Sequence, residues 1–196
     1  MKVEAPAIFP LLRSDAQGQI LATLELSHRG ETAADLARQV EASLPTVTRE
    51  LARLHDAGII EATPVGRRAV YRLNVRHPLA EAVREIAMFA HGPQPVVARE
   101  LSSVPGIVQA VLFGSWAARR RGEPGPPPGD IDLLVVGRPD RDELYDALRR
   151  AEVRLRREVN ATTITPERWA TVDDPFVATV RARPWVDLDV DTGVSA

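Results

Sequence analysis

The period of the apolar residues changes once along this chain, and the change falls at the tetrapeptide Gly92-Pro93-Gln94-Pro95. Before it, apolar residues recur at helical spacing. After it, short continuous apolar runs alternate with helical stretches. A helix repeats every 3.6 residues and a strand every two, so the two patterns in separate blocks point to two units joined by a linker. The length of 196 residues accommodates two small domains, one over 1–91 and one over 92–196.

In the first block, Ile20, Leu21, Leu24 and Leu26 predict a helix from about Asp15 to His28. Thr32 is the expected N-cap of a second helix burying Leu36 and Val40. Ser43 is the expected N-cap of a third, with Pro45 tolerated in its first turn and Val47, Leu51 and Leu54 on one face. Gly58 then sits at the position that ends such a helix. Ile59–Thr63 and Ala69–Leu73 read as two short strands around Gly66, and a helix follows from Leu79 to His91.

In the second block a short helix is expected over Val96–Ser103 and strands over Ile107–Phe113, Ile131–Val136 and Val159–Ile164. The run Ile131–Val136 is apolar enough to be buried on both faces. Asp140–Arg157 reads as an amphipathic helix with Leu144, Leu148 and Leu155 on one side. Short helices open at Pro166 and span Phe176–Arg181, and a last strand covers Trp185–Val190. The proline-rich stretch Gly122–Gly129 lies between two apolar runs and reads as a loop inside the domain. The expected fold class is α+β.

Composition narrows the functions. Hydrophobic residues are 44% and charged residues 27%, which supplies a core and argues against wholesale disorder. With no cysteine there are no disulfides, thiolate metal sites or cysteine nucleophiles. Met1–Phe9 has no leader-like apolar core, and no apolar stretch approaches the ~18 residues of a membrane span, so no membrane association and a cytoplasmic location are expected. The formal net charge is −2, so nucleic-acid binding has to come from a local patch. Lys2 is the only lysine. The remaining cations are arginines, whose planar fork suits phosphate and guanine.

One such patch exists. Thr32-Ala-Ala-Asp-Leu-Ala-Arg-Gln-Val, then Ser43-Leu-Pro-Thr-Val-Thr-Arg-Glu-Leu-Ala-Arg-Leu-His-Asp-Ala-Gly, followed by two strand-like runs, resembles the winged helix-turn-helix of ArsR/MarR-like repressors. The resemblance runs from Phe9 to Arg76. It implies binding to double-stranded DNA, as a homodimer with one winged helix per half-site. The start of the third helix offers Thr46, Thr48 and Arg49, with Arg53 one turn on, and the wing tip offers Arg67 and Arg68. From Ala62 to Arg76 there are four arginines and no acid. Cysteines are lacking and His28, His55, His77 and His91 are scattered, so no sensor metal is expected.

The sharpest motif lies in the second block. Leu112-Phe113-Gly114-Ser115-Trp116, then Gly129-Asp130-Ile131-Asp132 before an apolar strand, resembles the minimal nucleotidyltransferases of the DNA polymerase beta superfamily. The resemblance extends from about Val104 to Thr165. It implies a small mixed α/β domain that binds Mg2+ and a nucleoside triphosphate. Gly114 and Ser115 would admit phosphate at the start of a helix, with Arg119 neutralising charge. Asp130 and Asp132, two residues apart, would project to one face and hold the metal. The family's third carboxylate falls on the following strand, where this chain has Asn160. An amide is no general base. Glu158, on the same face, either substitutes for it or is a solvated acid. Trp116 either stacks on a base or, as is more usual for an aromatic in the first turn after a strand, packs in the core; Trp169 and Trp185 are assigned to packing.

Two functions follow: a DNA-binding transcriptional regulator with a nucleotide- and Mg-binding domain that has lost rapid turnover, or an active nucleotidyltransferase carrying a DNA-binding module. By analogy with toxin–antitoxin pairs, the second also admits a partner protein.

Overall fold

The computed structural model describes residues 12–27, 29–125 and 128–190. The expected helix end at His28, the loop residues Pro126 and Pro127 and the chain start up to Phe9 lie outside these. The protein is of mixed α+β class with two sheets, and it divides into two compact units, Met1–Gly92 and Pro93–Ala196.

The first unit runs α1 (Asp15–Leu26), β1 (Glu31–Thr32), α2 (Ala33–Gln39), α3 (Leu44–Asp56), β2 (Ile60–Val65), β3 (Arg68–Leu73) and α4 (Ala80–His91). Hydroxyl side chains start the first three helices. Ser14, Thr32 and Ser43 accept from the backbone N–H of Gln17, Asp35 and Thr46, satisfying donors that a helix start leaves open. The turn between α2 and α3 passes through Glu41, a non-glycine residue at φ 50°. Gly58, at φ 73°, follows α3 and lets the chain reverse into β2. In the β2–β3 hairpin Val65 pairs with Arg68, which leaves Gly66 and Arg67 as a two-residue turn with Gly66 at φ 61°. The two-residue strand β1 joins β3 from the other side, giving the order β1-β3-β2; a strand this short leaves no alternation to read in the sequence. Ile20, Leu21, Leu36, Val47, Leu51 and Ile60 form a single buried core.

The second unit runs α5 (Pro93–Leu101), β4 (Ile107–Phe113), α6 (Gly114–Arg120), β5 (Ile131–Gly137), α7 (Arg141–Leu155), β6 (Val159–Ile164), α8 (Pro166–Ala170), α9 (Pro175–Arg181) and β7 (Val186–Leu188). The tetrapeptide read as a linker is mostly helix: Pro93 and Pro95 occupy the first turn of α5, where a missing N–H costs nothing. The sheet order is β6-β5-β4-β7, with β5 antiparallel to β4 and parallel to β6. As the sequence predicts, Ile131, Leu133, Leu134, Val135 and Val136 are buried on both faces of β5. The buried stripe of α7 is Leu144, Ala147, Ala151 and Leu155; Leu148 is only half-buried. The stripe holds two alanines, and α7 packs against α5. On one sheet face Val111, Leu134, Val136 and Ile164 meet Val177 and Val180 of α9. No helix among the described residues is long and apolar enough to cross a membrane.

Candidate functional site

The carboxylates of Asp130 and Asp132 stand where β4 ends and β5 begins. Asp132 lies in β5, opposite Phe113 of β4 on one side and Asn160 of β6 on the other. Residues directly opposite each other across a ladder share a face, so Asn160, Asp132 and Phe113 form one row across the sheet end. Asp130 sits one residue before β5, and the Nδ2 of Asn160 donates to its Oδ2 at 2.9 Å. The opposite wall is the turn into α6. Gly114 has φ 68°, and a Cβ placed on it would come within 2.0 Å of Asp132 Oδ2. Only glycine allows this contact, for its conformation and for its bareness. The backbone N–H of Ser115 donates to the Asp132 carboxylate.

The electrostatics follow from that geometry. Burial pushes the Asp132 carboxyl above its ordinary range, the charge of Asp130 adds to the shift, and the Ser115 N–H partly opposes it. Two half-buried carboxylates that repel each other have chemistry a divalent cation would relieve. Mg2+ commonly takes one or two carboxylates and completes its shell with water and phosphate oxygens, so Asp130 and Asp132 fit one such ion. They do not make a larger cage: among the described residues no group of three or more His, Asp or Glu side chains is gathered as a metal site. At the third position the Asn160 amide donates a hydrogen bond and brings no negative charge.

The other expected residues of this unit fall differently. Glu158 precedes β6 with an exposed side chain; its backbone carbonyl accepts from the Ile131 N–H at 2.9 Å. Register places it level with Asp130, one step outside the paired residues Ile131 and Val159. Ser115 is exposed at the turn. Arg119 turns from the carboxylates to the following loop, where its Nη1 donates to the carbonyls of Glu123 and Pro124. Arg157, which the sequence does not distinguish from its neighbouring arginines, feels the charge of Asp130; burial lowers its pKa and Asp130 opposes the shift. Trp169 and Trp185, assigned to packing, are half-buried beside the same row.

In the first unit, Thr48 and Arg49 are exposed on α3, and Arg67 and Arg68 are exposed at the hairpin. Thr46 is half-buried, with its Oγ1 2.9 Å from Ser43 Oγ in the helix cap. Arg53 is paired: its Nη1 lies 2.7 Å from Oε1 of Glu50, which is only 4% exposed. Sequence reasoning missed Glu50, because an acid between two apolar positions of an amphipathic helix looks like a solvated one. Arg72 donates to the carbonyl of Arg29 at 2.6 Å, so one of the four hairpin-region arginines supports the fold directly.

Compared with protein-family models, curated proteins and solved structures, the chain matches none of them.

Proposed function

We propose that the chain is a DNA-binding regulator whose C-terminal unit binds a nucleoside triphosphate with one Mg2+ and turns it over slowly or not at all. The observation that carries the nucleotide half is the Asp132 carboxylate seated on the Gly114-Ser115 turn with Asp130 beside it. This arrangement supports a minimal nucleotidyltransferase-like domain: a glycine turn that admits close approach, a carboxylate pair for the metal, and a β4–β5–β6 sheet end on which they meet. Asn160 supports the lack of turnover. It holds Asp130 by a donated hydrogen bond at the position where a general base would take the acceptor's proton.

Support for the DNA half comes from the order α2, tight turn, α3, hairpin, which is that of a winged helix-turn-helix. Thr48 and Arg49 near the start of α3 and Arg67 and Arg68 at the hairpin are free to meet a duplex. Arg49 would read guanine; the hairpin arginines would hold phosphate. Homodimers binding two half-sites fit this reading.

Calorimetric titration of the full chain with MgATP, beside an Asp130→Ala/Asp132→Ala variant, tests the nucleotide half; equal binding by both proteins refutes it. For the DNA half, duplexes are selected from a random pool. No enriched sequence, or enrichment unchanged in Arg49→Ala, refutes base reading by α3.

The exposed acid Glu158, level with Asp130, favours a second reading as an active nucleotidyltransferase. Transfer of label from a nucleoside triphosphate, abolished by Glu158→Gln, would establish it in place of the first.

A further inference from the structure

The row that carries the carboxylates does not stop at Phe113. Strand β7 pairs Val186 with Leu112, so Trp185, the residue before, stands level with Phe113 on its far side. Alternation places Trp185 on the face opposite to Val186, the face of Phe113 and Asp132. Read across the sheet end, the row is amide, carboxylate, phenyl, indole. Two further aromatic side chains thicken it. Phe176 meets Phe113 edge to face with ring centroids 6.0 Å apart, and Trp169 meets Trp185 in the same way at 6.1 Å.

The chain has four Phe, three Trp and two Tyr, so four of its nine aromatic residues are concentrated beside the carboxylate pair. All four are left half-buried, while the aliphatic residues beneath them, Val111, Leu134, Val136, Ile164, Val177 and Val180, are buried. Here the aliphatics fill the floor and the rings form the rim. Cations lie against that rim: the Arg181 guanidinium sits 4.4 Å from the Trp169 ring centroid and that of Arg168 5.8 Å from the Phe176 centroid. Partly exposed rings and the guanidinium planes beside them are the kinds of surface on which nucleobases stack.

We propose that this rim is the base-binding subsite of the nucleotide site, taking the heterocycle of a nucleoside triphosphate whose phosphates and metal are held at Asp130, Asp132 and the Gly114 turn. The inference rests on the nucleotide half of the proposed function and assigns the end of the ligand that the carboxylates do not touch. Stacking has no base-specific hydrogen bond, so the subsite favours the larger purines and does not select one base sharply.

The test compares two ligands that share the phosphate end. Mg2+ with ATP and Mg2+ with inorganic tripolyphosphate are titrated into the full chain, with heat and tryptophan emission recorded together. ATP is expected to bind about tenfold tighter than tripolyphosphate, the discrimination that one stacked base supplies. ATP quenches the emission and tripolyphosphate leaves it unchanged. Phe176→Leu and, separately, Trp185→Leu each bring the affinity ratio close to one, and Trp185→Phe restores most of it. Circular dichroism confirms that each variant is folded, and two variants on different elements guard against one that is not. Equal binding of both ligands, abolished by Asp130→Ala, overturns the subsite and leaves the proposed function standing. A preference for ATP that survives both leucine variants overturns it too. Failure of both ligands to bind removes the proposed nucleotide function and the subsite with it.

Discussion

Replacing Gly114 by alanine probes the contact on which the candidate site depends. The added Cβ would lie 2.0 Å from Asp132 Oδ2 and 2.8 Å from Asp132 Cγ, so the carboxylate has to leave. Its departure removes the hydrogen bond from the Ser115 N–H, a charged-group bond of about 1.5–3 kcal/mol. The left-handed backbone at φ 68° adds about 1–2 kcal/mol for any residue with a Cβ. Restricting the unfolded chain returns up to about 1 kcal/mol, which leaves a net loss of about 2–4 kcal/mol. For a unit of this size that lowers the midpoint of thermal unfolding by roughly 10 °C or more. Urea unfolding, run as a double-mutant cycle with Asp132→Ala, separates the two contributions. With the carboxylate gone the nearest obstacle is the residue 132 Cβ at 3.2 Å, so Gly114→Ala should then cost only the backbone part, about 1–2 kcal/mol. A Gly114→Ala cost below about 1 kcal/mol, or an equal cost in both backgrounds, would refute the packing of this turn against Asp132.

Other outcomes follow from the same geometry. The pKa of Asp132 is raised in the folded chain, so the folded state holds its proton longer than the unfolded one, and stability falls as pH rises through the window between the ordinary 3.8 and the raised value. Asp132→Asn keeps an acceptor for Ser115 N–H and removes that charge; metal-free, it should be slightly more stable at pH 7 in thermal unfolding, by less than about 1 kcal/mol since the group is only half-buried and solvent screens it. Arg53→Ala leaves the buried Glu50 carboxylate without its partner and should cost about 1–3 kcal/mol in urea unfolding, whereas Arg49→Ala should stay within about 0.5 kcal/mol. Adding Glu50→Gln to Arg53→Ala should recover most of that loss. In duplex binding, Arg67→Ala should reduce the slope of log affinity against log salt by about one phosphate contact, measured by fluorescence anisotropy.

Local rules made much of this molecule legible from its sequence. The capping hydroxyls Thr32 and Ser43 mark helix starts because they bond to amides three residues on, and the apolar runs of β4 and β5 mark strands because a central strand must be buried on both faces. The motif Gly114-Ser115 and the pair Asp130 and Asp132 were legible for the same reason: a sharp turn needs glycine, and residues two apart on a strand point one way. The pairing of Arg53 with Glu50 was not legible, since both lie on one helix and burial depends on what packs over them. Nor was the aim of Arg119, which is decided by loop carbonyls that come within reach only after the loop folds back.

Periodicity and turn chemistry act over a few residues, so the sequence alone determined most of the elements, apart from the two-residue β1 and the start of α5, and the division into two blocks. Strand order and register join residues far apart in the chain, and no local pattern encodes them. Only the tertiary structure could decide that Asn160 would meet Asp130, that Asp132 would rest on Gly114, and that Trp185 would complete a row with Asp132 and Phe113, residues far earlier in the chain. Long-range pairing satisfies backbone hydrogen bonds and apolar burial for the whole sheet at once, and the side chains at its edge are brought together as a consequence.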